Sequence, residues 1–183
     1  MNQRMYDLGS KRSVIRELFE FGKKRAAEVG AENVYDFSLG NPSVNPPQAV
    51  EDTLIELLRT EEPTQLHGYT SAQGDASVRA AIADYIHKTH DVPADSDFLY
   101  MTCGAAASLT ITLSAICNAG DEVITFKPYF TEYKVFTETA GAKLVGLASD
   151  PETFQPDFDA LEKTINEKTA VVLINTPNNP SGA

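Results

Sequence analysis

Tryptophan is absent from this sequence, cysteine occurs only twice and histidine only three times. The two cysteines, Cys103 and Cys117, make no disulfide framework and no metal-ligand spacing, so a metal site is not expected. A reducing cytoplasmic compartment is the simplest setting for such a chain. Long apolar runs are missing as well. None nears the roughly 20 residues that a membrane-spanning helix needs. The start, MNQRMYDLGSKRSVIREL, has neither an apolar h-region nor a small-residue cleavage site, so no secretory signal is expected. Positive charge is scarce: 15 bases face 26 acids, a formal net charge of -11. Such a surface repels phosphate backbones and anionic lipid, which argues against nucleic acid and membrane as partners. The early bases Lys11, Arg12, Lys23, Lys24 and Arg25 read as a solvated helix face, the last three near a helix C-terminus where positive charge is favoured. Finally, neither G-x-G-x-x-G nor G-x-x-x-x-G-K-[ST] occurs, so dinucleotide and P-loop readings lack their fingerprints.

What is present is a globular composition, 183 residues with 42% hydrophobic and 22% charged side chains, enough to build a core. A first helix is expected over about Ser10 to Val29, with Val14, Ile15, Leu18, Phe19 and Ala26 as its apolar stripe and Gly30 as its stop. Val34 to Leu39 reads as extended. Asn45-Pro46-Pro47 opens the next helix, since proline suits a first turn. There Val50, Leu54, Leu57 and Leu58 follow helical spacing. After a loop with Pro63, Gly68 and Gly74, a helix over Asp75 to His90 carries Val78, Ala81, Ile82, Tyr85 and Ile86 on one face. Then the rhythm becomes regular. Strands at Phe98 to Thr102, Glu122 to Phe126, Lys143 to Leu147 and Ala170 to Asn175 are separated by helices at Ala105 to Cys117, Phe130 to Thr139 and Asp157 to Asn166. Such alternation indicates βαβ units in an α/β fold, with a largely parallel sheet covered on both faces. The apolar run from Ala170 to Ile174 suits a central strand.

Three stretches at strand ends carry chemistry. In Thr102-Cys103-Gly104-Ala105-Ala106-Ala107-Ser108 a glycine turns the chain and small residues open a helix. The free N–H groups of such a helix start favour an anion; a glycine turn into a well-packed helix fits equally. In Lys127-Pro128-Tyr129-Phe130-Thr131-Glu132-Tyr133 an aromatic is placed to stack on a flat ring, although core packing explains Tyr133 and Phe136 better. Asn175-Thr176-Pro177-Asn178-Asn179-Pro180-Ser181-Gly182 follows the apolar strand, where ligands of open α/β sheets bind. Its prolines and glycine preorganise an asparagine, though a plain Asn-Pro turn reads the same way. His67, beside Gly68-Tyr69, is read as a loop histidine, and His87 and His90 as polar helix-end residues. Cys103 is read as a small packing residue.

In order and spacing these segments resemble the class I/II aminotransferases, enzymes of pyridoxal 5'-phosphate (PLP) fold type I in the aspartate aminotransferase superfamily. Five segments carry the resemblance: Leu39-Gly40-Asn41-Pro42, Gly68-Tyr69-Thr70 with Gly74 and Val78-Arg79, Gly104-Ala105-Ala106, Pro128-Tyr129-Phe130, and Asn178-Asn179-Pro180-Ser181-Gly182, which matches N-P-[ST]-G. The resemblance implies an incomplete large domain over residues 46–183, an αβα sandwich with a mostly parallel mixed sheet, preceded by an N-terminal arm and helical segment of the small domain over residues 1–45. It implies that Asn179 hydrogen-bonds the phenolic oxygen of PLP and that Phe130 covers a face of its ring. The turn at Gly104, with the amides of Ala105 and Ala106, would hold the phosphate. Tyr69 would reach the phosphate of the partner subunit in a homodimer, and Gly40 would lie beside the substrate carboxylate. Many relatives have a hydroxyl or lysine where Ala106 stands, so this cup would lean on backbone amides. No counterpart of the family's Schiff-base lysine occurs; that residue is expected beyond residue 183.

The function this implies is the N-terminal part of an enzyme that moves an amino group between an amino acid and a 2-oxo acid, inactive as this chain alone. Another PLP chemistry on the same fold is the alternative, such as a C–S lyase, a decarboxylase or an aminocyclopropane-carboxylate synthase. A non-enzymatic fragment is a third. A transcription regulator's effector domain fits poorly with an acidic chain that has no preceding DNA-binding helices.

Overall fold

The computed structural model describes residues 3–10, 14–38, 40, 42 and 44–183. It divides into two compact units, Met1–Tyr69 and Thr70–Ala183.

The first unit is helical. Helices α1 (Gln3–Ser10) and α2 (Val14–Val29) replace the single helix expected from Ser10; Lys11, Arg12 and Ser13 between them lie outside the described residues. Gly30, at φ 91°, ends α2 in a conformation that costs glycine little, and its N–H donates to the Ala26 carbonyl at 3.0 Å. The last turn of α2 holds no base. Lys23, Lys24 and Arg25 lie one turn earlier and are exposed, with Lys23 over the Phe19 ring at 4.3 Å and Arg25 paired with Glu28 at 3.2 Å. Val34 is extended, as the sequence indicates, but no ladder forms there; Leu39 lies outside the described residues. Helix α3 (Gln48–Thr60) starts directly after the Pro46-Pro47 pair, and the short α4 (Pro63–Leu66) again has proline in its first turn. No residue of α3 is buried; Leu54 and Leu58 are 57% and 64% exposed.

The second unit holds the sheet. Helix α5 (Ala76–His90) is capped by Asp75, whose carboxylate accepts from the N–H groups of Ser77 and Val78. Those hydrogen bonds hold its carboxyl below the ordinary range, the Ser77 hydroxyl contributing most. The buried positions of α5 are Arg79 and Ala83; Val78 and Tyr85 of the expected apolar face are largely exposed. Helix α6 (Ala105–Ile116), strand β1 (Glu122–Lys127), helix α7 (Glu132–Thr139), strand β2 (Lys143–Ala148), helix α8 (Phe158–Thr164) and strand β3 (Thr169–Val172) follow. The strands form one parallel sheet in the order β2-β1-β3. Register runs from Glu122 opposite Lys143 to Lys127 opposite Ala148 on one side, and from Glu122 opposite Thr169 to Ile124 opposite Val172 on the other. Glu122 secures the N-terminal edge: Asn166 Nδ2 donates to Oε2 at 2.9 Å, and Lys143 Nζ lies 3.4 Å from Oε1. The Asn166 hydrogen bond is the main reason its carboxyl is held below the usual value.

Side chains alternate across the sheet. On one face Val123 of β1 and Leu173 pack with Leu113 of α6 and Tyr133 of α7, joined by Leu109, Tyr129 and Phe130. On the other, Ile124 is fully buried, while α8 covers the sheet incompletely and leaves a cavity of about 430 Å³ beside Phe126, Phe158, Leu161, Val172 and Ile174.

The structure departs from several of these expectations. Phe98 to Thr102 forms no strand: a 3-10 turn (Ser96–Phe98) leads into irregular backbone, because no described strand lies alongside to pair with it. Ala170 to Asn175 is laddered only to Val172, with one further bond from Leu173 N–H to the Ile124 carbonyl at 2.8 Å. That strand is also an edge of this sheet rather than its centre, and Ile174 is 67% exposed. The two shortened helices, α7 and α8, begin later than expected because Phe130-Thr131 and Asp157 form their entries.

Candidate cofactor site

The anion-ready turn is built from the backbone upward. Gly104 sits at φ 90°, a region glycine enters without strain, and open space surrounds the place a Cβ would take. The first turn of α6 contains no acid, and no side chain caps it. Two hydroxyls brace the turn instead. Thr102 Oγ1 and Ser108 Oγ are 2.6 Å apart, and both reach the Gly104 carbonyl, at 3.2 and 3.4 Å. Ala105 and Ala106 are exposed. This arrangement fits a phosphate: uncapped N–H groups, the positive end of a helix dipole and no carboxylate in the way.

A network the sequence reading missed takes the place of the absent strand before this turn. Met101 N–H donates to the Gln73 carbonyl at 2.9 Å, and Gln73 Nε2 donates to the Asp97 carbonyl at 3.1 Å. The buried Arg79 guanidinium donates to the Ser96 carbonyl. Gly74 must lack a side chain here, because its Cβ would collide with Met101. The Gly74 and Arg79 positions were legible as motif residues, but not as supports of the 96–101 segment.

Phe130 and Asn179 lie in the loops that follow the neighbouring strands β1 and β3. Phe130 is half-buried, edge-on to the Tyr133 ring at 5.6 Å. Tyr133 is 7% exposed, and burial pushes its hydroxyl pKa up; with Phe136 packed nearby, both aromatics are core residues, as the spacing indicates. Asn179 is exposed, and its side-chain amide makes no hydrogen bond to the described residues, while its N–H donates to Asn175 Oδ1 at 2.9 Å. The residue beside it is tied inward: Asn178 Nδ2 reaches the Pro128 carbonyl at 3.0 Å and Ser181 Oγ at 2.8 Å. Thus the structure brings the Phe130 loop and the Asn179 loop together. Gly146 of β2 contributes by absence, since a Cβ there would lie 2.9 Å from Tyr129 Cε1 and 2.7 Å from Lys127 Cε. An isolated glycine within a strand pattern is the signal that marks such a close approach.

The other expected site residues belong to the first unit. Gly40 is exposed, with no described residue within 4 Å of the place a Cβ would take, and its neighbours Leu39 and Asn41 lie outside the described residues. Tyr69 projects fully from the surface. Gly68 before it cannot carry a side chain, because a Cβ would strike the Thr64 carbonyl. His67, His87, His90 and Cys103 are exposed, and none joins a hydrogen-bonded group with the site residues described above.

Residues 32–183 match the family described as aminotransferase class I and II. The chain belongs to that family. It is 32% identical over 174 residues to an aspartate aminotransferase of Pyrococcus horikoshii, covering 94% of this chain and 42% of the relative. Among solved structures, an aminotransferase from Eubacterium rectale is 60% identical with a TM-score of 0.96, over 100% of this chain and 46% of the other. An aspartate aminotransferase from Thermotoga maritima is 28% identical with a TM-score of 0.83. The fold is therefore the α/β fold of these PLP-dependent enzymes. This chain spans about two fifths of the length of most curated relatives it matches.

Proposed function

We propose that this chain forms the cofactor-holding part of an aminotransferase that moves an amino group between an amino acid and a 2-oxo acid. One observation carries the reading. Two loops after adjacent parallel strands are bonded together, one bearing Phe130 and the other an Asn179 amide with no partner among the described residues, in a unit whose α6 start has no side-chain cap. When bound, PLP supplies an electron sink for bonds at the substrate's α-carbon. The residues here bind and orient it. The amides of Ala105 and Ala106, after Gly104, hold the phosphate; Phe130 covers a ring face; Asn179 donates to the phenolic oxygen. Tyr69, fully exposed, serves the partner subunit's phosphate in a homodimer, and Gly40 lies beside the substrate carboxylate. The lysine that moves the proton belongs to a later part of the protein, so residues 1–183 do not transaminate alone. Residues 46–183 belong to the large domain and residues 1–45 to the arm and small domain. The enzyme works in the cytoplasm; among the described residues no helix is long and apolar enough to cross a membrane.

The test is product analysis of the complete polypeptide with PLP and 2-oxoglutarate. Relatives are named for aspartate, alanine and aromatic substrates, so all three donor types are supplied. Matched amounts of a new 2-oxo acid and glutamate are expected. Release of ammonia or a thiol without glutamate would contradict transamination.

A further inference from the structure

Asn178 stands where chemistry and architecture meet, yet it is not one of the groups assigned to the cofactor. It is half-buried, whereas Asn179 beside it is exposed. Its side-chain nitrogen makes two hydrogen bonds: one across to the other loop, to the Pro128 carbonyl two residues before Phe130, and one within its own loop, to Ser181 Oγ two residues after Asn179. Its backbone closes the same loop, with Asn178 N–H donating to the Ala183 carbonyl at 2.8 Å and its carbonyl accepting from Gly182 N–H at 2.7 Å. On the other side, Asn175 Oδ1 holds the Asn179 N–H. Asn179 is thus fixed from both sides while its own amide stays available.

The bond to Pro128 matters because of what the sheet leaves undone. Ladder pairing of β3 with β1 ends at Val172 opposite Ile124, and the last bond is Leu173 N–H to the Ile124 carbonyl. Beyond that point the strands no longer fix the separation of the loops that follow them. Among the described residues, Asn178 to Pro128 is the hydrogen bond that re-joins these two loops beyond the ladder. Its carboxamide is also the right group: one –NH2 presents two donors at once to two acceptors, and an aspartate of the same shape presents none.

We propose that Asn178 is a positioning residue that sets Asn179 relative to the Phe130 loop, and so acts on cofactor affinity through Asn179. This rests on the reading that Asn179 touches PLP. Asn178 itself touches no reacting atom.

The experiment is a double-variant cycle on PLP affinity, by fluorescence titration of the apo form of the complete polypeptide, with its thermal midpoint measured alongside. Asn178→Asp keeps the volume and removes both donors. It should weaken PLP about five- to tenfold, the scale of one or two lost hydrogen bonds. Combined with Asn179→Ala, it should add less than its own single effect, because its target is gone. Wild-type affinity for Asn178→Asp, or fully multiplicative losses in the double variant, would overturn the proposal while leaving the Asn179 assignment standing. Unchanged affinity in Asn179→Ala would overturn both. Should Asn178→Asp fail to fold, Ser181→Ala examines the same clamp. A two- to threefold loss with an intact thermal midpoint supports it, and unchanged affinity contradicts it.

Discussion

The two units of this chain bury apolar residues to different degrees. In Thr70–Ala183, three parallel strands place Val123 and Ile124 at zero exposure and bring α6 and α7 onto one face. In Met1–Tyr69, α3 and α4 open at prolines, but α3 leaves Val50, Leu54 and Leu58 about half exposed or more. Periodicity writes both kinds of helix equally well. What it does not write is the partner, and a helix gains most of its stability from the face it buries. The proposed site follows the same division: Gly104, Phe130 and Asn179 belong to the unit with the buried cluster, and Gly40 and Tyr69 to the unit in which fewer of the described residues are buried.

Side-chain truncation breaks this comparison most strongly. Leu113→Ala, at 2% exposure, should cost about 2–5 kcal/mol in urea unfolding of the 183-residue chain, whereas Leu58→Ala should stay within about 0.5 kcal/mol. Equal losses would show that α3 is packed. Next, Thr137 is fully buried, and its hydroxyl has no hydrogen-bond partner among the described residues. Thr137→Val keeps the shape and removes the unmet group, so the thermal midpoint should rise, by about 1 kcal/mol of stability; a fall would mean the hydroxyl has a partner. Third, Phe130→Leu should weaken PLP binding by about 0.5–1.5 kcal/mol through loss of ring contact, read by titration of the complete polypeptide. The smallest effect concerns pH. Glu122 has its folded pKa lowered, chiefly by Asn166, from an ordinary 4.5. Its contribution is therefore present above that value and is lost as pH falls through the lowered one. Glu122→Gln should flatten the acid limb of the stability profile and change little near neutrality; an unaltered acid limb would remove Glu122 from the account.

Most of the sheet unit was readable because local signals and tertiary pairing agree there. Strand β1 and helix α6 fall within about a residue of their expected limits. Phe98 to Thr102 failed for the opposite reason. Its residues suit a strand, but strand character is realised only through pairing, and no neighbour is described. Gly104, Phe130 and Asn179 could be singled out from the sequence because each lies in a segment that follows a strand or opens a helix. Asn178, Gly146 and the supporting role of Arg79 were not. Their work depends on contacts such as Asn178 to Pro128 and Arg79 to Ser96, which no local pattern encodes.

On the proposed function, the cofactor lies over the start of α6 and the joined loops after β1 and β3. A crystal structure of the complete polypeptide with PLP tests it directly. The phosphate should accept from the N–H groups of Ala105 and Ala106, and Asn179 Nδ2 should lie within about 3 Å of the phenolic oxygen. A ring bound elsewhere, with Asn179 still unpartnered and the α6 start facing only water, would contradict the account.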